Sequence, residues 1–156
     1  THMIAVLDPQ QEKIVWASKG SYRYQHDPTV LENGRLLLFN NNPPKKASSI
    51  LEIDPASGEE TLVYRGPDSD PFYSETCGVD QRLANGNALS TESGYGRALE
   101  VTPAGDTVWE FYSPFSAGDN DEYIATLMEV VRLPGGAPPN WLKNPGGMPG
   151  KGSEGR

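Results

Sequence analysis

The chain is poor in reactive side chains: its 156 residues contain one cysteine, Cys77, and two histidines, His2 and His26. A lone cysteine excludes an internal disulfide, and with it any reading of the redox compartment. Positive charge is also short, with 13 Lys and Arg against 21 Asp and Glu and a formal net charge of −8. That balance argues against nucleic acid, whose phosphates reward a basic face, and against electrostatic docking to anionic lipid. No apolar run approaches the roughly 18 residues that cross a bilayer. Helical periodicity between the apolar runs is missing too, which removes a parallel α/β fold.

What the chain has in plenty is punctuation. Seventeen glycines and fourteen prolines interrupt it at short intervals, favouring short strands over long helices. The length suffices for one domain with a real core. Three segments repeat. Ile4-Ala5-Val6-Leu7-Asp8-Pro9 leads to Lys13-Ile14-Val15-Trp16; Ile50-Leu51-Glu52-Ile53-Asp54-Pro55 leads to Thr61-Leu62-Val63-Tyr64; Ala98-Leu99-Glu100-Val101-Thr102-Pro103 leads to Thr107-Val108-Trp109. Each reads as a strand, a proline turn and a second strand ending in an aromatic. Pro9 to Pro55 spans 46 positions and Pro55 to Pro103 spans 48.

Two further hairpin signals interleave with these, at Asn33-Gly34 and Asn85-Gly86, 52 positions apart. Asn-Gly permits the positive φ angles of a type I′ turn, so strands are expected on both sides. Four strands per period of about 47 residues is the pattern of β-propeller blades. Leu51-Glu52-Ile53-Asp54 alternates as a half-buried strand should, whereas Leu36-Leu37-Leu38-Phe39 is continuously apolar and suits a strand covered on both faces. The fold expected is all-β: four-stranded antiparallel repeats, about ten strands, about two and a half blades. Closed rings have about four to eight blades, so the chain reads as the C-terminal part of a propeller or as an assembly unit.

The opening Thr1-His2-Met3 runs straight into a strand pattern, with no signal-peptide pattern, and the expectation is a piece of a longer protein. His2 is left out of the site on that ground. Residues 123–133 are expected to form one last strand. From Pro134 on, 12 of 23 residues are Gly or Pro, too few apolar groups to offset ordering entropy. The division expected is a partial propeller over 1–133 and a Gly/Pro-rich tail over 134–156.

The stretch Gln25-His26-Asp27 followed by Leu31-Glu32-Asn33-Gly34-Arg35-Leu36-Leu37-Leu38-Phe39-Asn40-Asn41 resembles the arylsulfotransferase propeller family. So do Leu51-Glu52-Ile53-Asp54-Pro55, Phe72-Tyr73-Ser74, Gln81-Arg82-Leu83-Ala84-Asn85-Gly86-Asn87 and Leu99-Glu100-Val101-Thr102-Pro103. The similarity covers roughly residues 4–142. It implies the C-terminal blades of a six-bladed propeller, periplasmic or extracellular as in most relatives. It also implies sulfuryl transfer from a phenolic sulfate ester to a phenol, with no nucleotide donor or other cofactor, through a transiently sulfated histidine. The residue the resemblance places at that histidine is His26. Further channel histidines and an arginine used by well-studied members have no counterpart here.

A neutral imidazole, with an ordinary pKa of about 6.5, is nucleophilic at neutral pH and yields a hydrolysable adduct. The competing reading of His26, beside Asp27-Pro28, is a turn cap bonded to a backbone carbonyl. Asn41, Tyr73 and Arg82 are the candidate substrate contacts. Against that, Tyr73 suits a core, and Arg23, Arg82 and Arg97 suit ion pairs on the surface or between blades. The Asn-Gly offset puts His26 opposite Gly78, beside Thr76 and Cys77, and Cys77 reads as a small packed side chain. Trp16, Tyr64 and Trp109 read as matching inter-blade packing. Asp119-Asn120-Asp121-Glu122 lacks a calcium-loop pattern and reads as a solvated turn, so no metal is expected. The partners expected are a small phenolic or sulfated substrate and a second copy of the chain at exposed blade edges. The alternative function is a propeller that binds without catalysis.

Overall fold

The structure is a computed structural model and describes residues 2–133 and Gly135. The expected tail therefore lies outside the described residues, apart from Gly135. Twelve strands make up four antiparallel sheets. Strands β1 (Met3–Asp8) and β2 (Lys13–Lys19) form a two-stranded sheet. The first four-stranded sheet holds β3 (His26–Val30), β4 (Leu36–Asn40), β5 (Ser49–Ile53) and β6 (Glu60–Tyr64), neighbours in chain order. The second repeats this order with β7 (Val79–Arg82), β8 (Ala88–Glu92), β9 (Arg97–Val101) and β10 (Thr107–Tyr112). These are propeller blades, two whole and one half. The small β11 (Ser116–Ala117) and β12 (Tyr123–Ile124) pair with each other.

The apolar runs explain the stacking. All five residues of β4 are buried, because one face meets the β1–β2 sheet and the other the second blade. Leu36, Leu38, Leu51 and Ile53 pack with Ile4, Tyr22 and Trp16 on one side. Leu37, Phe39, Ile50 and Tyr64 meet Ala88, Leu99 and Val101 on the other, with Phe72 wedged between the rings of Phe39 and Tyr64 at 5.3 and 5.4 Å. The two blades touch through β3 and β4 against β7, so the first strands of each blade sit at the convergent edge.

Three local expectations change. The turns are not type I′, since only Gly34 (φ +81°) and Gly86 (φ +87°) have positive φ, not the asparagines before them. Each turn instead closes from Gly N to the Leu31 or Leu83 carbonyl at 2.9 Å and ends in a left-handed glycine, a longer hairpin that the same dipeptide serves. Trp16 and Trp109 do share a register position, opposite Val6 and Glu100, but Tyr64 sits opposite Ile50, two positions before the matching Glu52, and β-bulges interrupt all three ladders. Finally, the last strand is only Tyr123–Ile124. Residues 125–133 cross the outer face of the second blade held by side chains: Val130 N donates to Thr91 Oγ1 (2.9 Å) and Arg132 N to Gln81 Oε1 (2.7 Å).

Candidate functional site

His26 opens β3, at the convergent edge, and its ring is exposed. Its Nδ1 lies 3.0 Å from the Tyr24 carbonyl and 2.7 Å from Asn41 Oδ1. The orientation of the Asn41 amide follows from its other end, where Nδ2 donates to the carbonyls of Ser74 (2.8 Å) and Cys77 (2.7 Å). Both neighbours of Nδ1 are therefore acceptors, so Nδ1 carries the proton. In the neutral ring Nε2 is then left with its lone pair. Asn41 is itself fully buried, and its carbonyl accepts from Ser48 Oγ at 3.0 Å.

The backbone here is under unusual constraint. Tyr24 (φ +53°) and Asp27 (φ +50°) flank the histidine in the left-handed region, and Asn42 (φ +46°) follows Asn41. Such conformations in non-glycine residues persist only where surrounding contacts over-determine them. Asp27 carries its own anchor, Oδ2 accepting from Asp80 N at 3.2 Å. The ladder is irregular between His26 and Thr29, which takes up one residue. His26 therefore stands opposite Phe39 as Val79 stands opposite Thr91, so its counterpart in the second blade is Val79, one place beyond the Gly78 obtained by counting between turns.

Beside Asp27 an open cavity of about 1130 Å³ runs along β3 and β7, lined also by Glu129, Val131, Arg132 and Leu133. Arg82 lines it, but its guanidinium donates to the Gly86 carbonyl (2.8 Å) and pairs with Glu52 (2.9 Å), which also binds Arg35. Asp80 lines it too, and composition gave no hint of that residue. Its carboxyl is buried, accepts from Ser90 Oγ at 2.6 Å and leaves Oδ2 without a partner among the described residues. Burial first, then the negative charge of Asp27, pushes it up to about 7, against the pull of Ser90 and Arg82.

Tyr73 lies elsewhere, in a second cavity with Tyr95 and Tyr112. His26 and Asn41 are thus brought together, Arg82 lines the first cavity with Asp27 but without His26 or Asn41, and Tyr73 lies in neither place. Arg97 is a buried ion-pair centre with Asp70, Glu92 and Glu110. Cys77 is half-buried and contributes its carbonyl. Asp121 and Glu122 bind Ser116 and their own loop, and no cluster of metal-ligating side chains occurs among the described residues.

Against known families, the arylsulfotransferase (ASST) model matches residues 1–114. The chain belongs to the arylsulfotransferase family. No curated protein matches it. The paired blades, the convergent first strands and the exposed histidine are therefore those of an arylsulfotransferase-like chain.

Proposed function

We propose that this arylsulfotransferase-family chain moves a sulfuryl group between phenols through His26. The observation that supports this best is the Nδ1 clamp, two acceptors holding the proton on one nitrogen so that the other keeps its lone pair on an exposed ring. In the first half-reaction Nε2 attacks the sulfur of an aryl sulfate. The N–S bond forms, the S–O(aryl) bond breaks and the phenolate leaves with the electron pair. In the second, an acceptor phenol loses its proton and attacks the same sulfur, and the N–S pair returns to the imidazole. Positive charge developing on the ring in the first step is shared with the Tyr24 and Asn41 oxygens.

On this reading Asn41 is a positioning residue, since its amide is wholly taken up by protein groups. Arg82 lies three residues along β7 from Val79, the level of His26, or about 10 Å along the strand. It draws the anionic substrate into the cavity and is out of reach of the sulfuryl group on His26. The test is incubation of the full-length protein with a chromogenic aryl sulfate and a phenol acceptor, together with mass analysis of the His26 peptide. Turnover, a sulfuryl adduct on that peptide and loss of both in His26→Ala are expected; turnover that survives His26→Ala would overturn the mechanism, and no turnover by the wild type would leave a binding propeller.

A further inference from the structure

A second cavity, of about 670 Å³, opens at the same end of the blades as His26 but away from the convergent edge. Tyr73, Tyr95 and Tyr112 wall it, with the Tyr73 and Tyr95 rings 6.4 Å apart. Glu92, only 2% exposed, forms its floor. Glu92 Oε1 accepts from Tyr73 N at 2.8 Å, while Oε2 has no hydrogen-bond partner among the described residues. The nearest cation, Arg97 Nη1, stands 3.6 Å from that oxygen. The Arg97 fork is turned to Asp70 and Glu110, and its Cζ lies 5.6 Å from the centre of the Tyr112 ring.

The matching position of the first blade shows what is unusual. There Asn40, at the end of β4, accepts from Arg23 N and donates to Ser49 Oγ at 3.0 Å, across the same strand pair that Glu92 and Arg97 join in the second blade. A neutral pair needing nothing further has been replaced by a charged one with a spare oxygen. A buried carboxylate oxygen without a donor is costly to keep. Groups facing the cavity are Lys46 after the first blade's turn, Asp70 and Glu75 on the β6–β7 connection, Glu92 on β8 and Arg97 on β9, with Glu110 on β10 sharing Arg97. Four carboxyls against two cations disfavour an anion.

We propose that this cavity binds a small organic cation, an alkyl- or arylammonium whose charged end meets Glu92 Oε2 and whose body lies between the tyrosine faces. Aromatic faces attract ammonium groups, and an N–H donor supplies the bond that Oε2 lacks. The site is independent of His26 and of the sulfuryl chemistry. Burial first pushes Glu92 up to about 7, with Asp70 and Glu110 adding to it and Tyr73 N and Arg97 opposing. Below that value the carboxyl holds a proton, which an entering cation displaces, so binding strengthens as pH rises through neutrality.

Calorimetric titration of the full-length protein with benzylammonium chloride, against benzyl alcohol as the neutral counterpart, tests this. Benzylammonium is expected to bind at least about tenfold more tightly than the alcohol. Its affinity is expected to rise several-fold between about pH 6 and about pH 8. Glu92→Gln should weaken it about tenfold and flatten the pH dependence. Tyr95→Ala, at a ring already 55% exposed and so safe for folding, should weaken it about three- to tenfold. Equal binding of alcohol and ammonium, affinity untouched by Tyr95→Ala, or no heat at about 10 mM ligand would each overturn the proposal.

Discussion

The histidine clamp places its chemistry in one side chain, Asn41, whose amide joins His26 to the carbonyls of Ser74 and Cys77. Asn41→Ala leaves the imidazole free to turn and to exchange tautomers. We expect kcat to fall by about 10 to 100-fold with KM changed less than about twofold, since substrate never touches the amide. Steady-state kinetics on the aryl sulfate measures both. Asp80 makes a different prediction, in stability. Its carboxyl is raised in the folded state, so its stabilising share is whole below the unfolded range, about 4, and is lost as pH climbs through about 7. Asp80→Asn keeps an acceptor for Ser90 and removes the titration. Its urea midpoint should therefore fall less than that of wild type between about pH 5 and about pH 8. Glu92, raised in the same direction, leaves a residual slope in the variant.

Among elements, β4 and the entry to β7 carry the blade junction. Gly78 precedes β7 at φ +101°, and a Cβ there would lie 2.5 Å from the Phe39 ring, which is fully buried and cannot yield. Gly58 also has a positive φ, +77°, but nothing stands within 4 Å of its would-be Cβ. The pair separates clash from backbone strain. Gly58→Ala should cost about 1 kcal/mol and Gly78→Ala about 2 to 4, read from denaturant midpoints. The apolar run of Leu36–Phe39 announced a strand covered on both faces, and the glycines of the Asn-Gly pairs announced the turns. The turn type was out of reach of the dipeptide, because Asn-Gly serves two hairpin lengths and cross-strand register chooses between them. The bulge after His26 was equally hidden, since Asp27-Pro28 does not say where the extra residue goes.

At the scale of the molecule, two apolar junctions hold the stacked sheets, and apolar residues of the β1–β2 sheet at one end of the stack are left exposed. Val6, Leu7, Ile14 and Val15 of the β1–β2 sheet are 43 to 61% exposed, and β1 pairs on one side only among the described strands. A half-blade with an open edge and an apolar face invites another strand or sheet. At micromolar concentrations the chain is expected to sediment as larger than a monomer, and Leu7→Lys with Val15→Lys to return it toward the monomer without unfolding it. Monomeric wild type in analytical ultracentrifugation would defeat that expectation. Strand order, blade period and the identity of the exposed histidine follow from local chemistry: turn residues, alternation and apolar runs act over a few neighbours, and the order of those neighbours is written in the chain. Which nitrogen of His26 keeps its lone pair, that Tyr73 leaves the histidine for Glu92, and that Arg82 is held by Glu52 depend on residues brought together from 15 to 30 positions apart. Only the stacking of one blade on the next sets those distances.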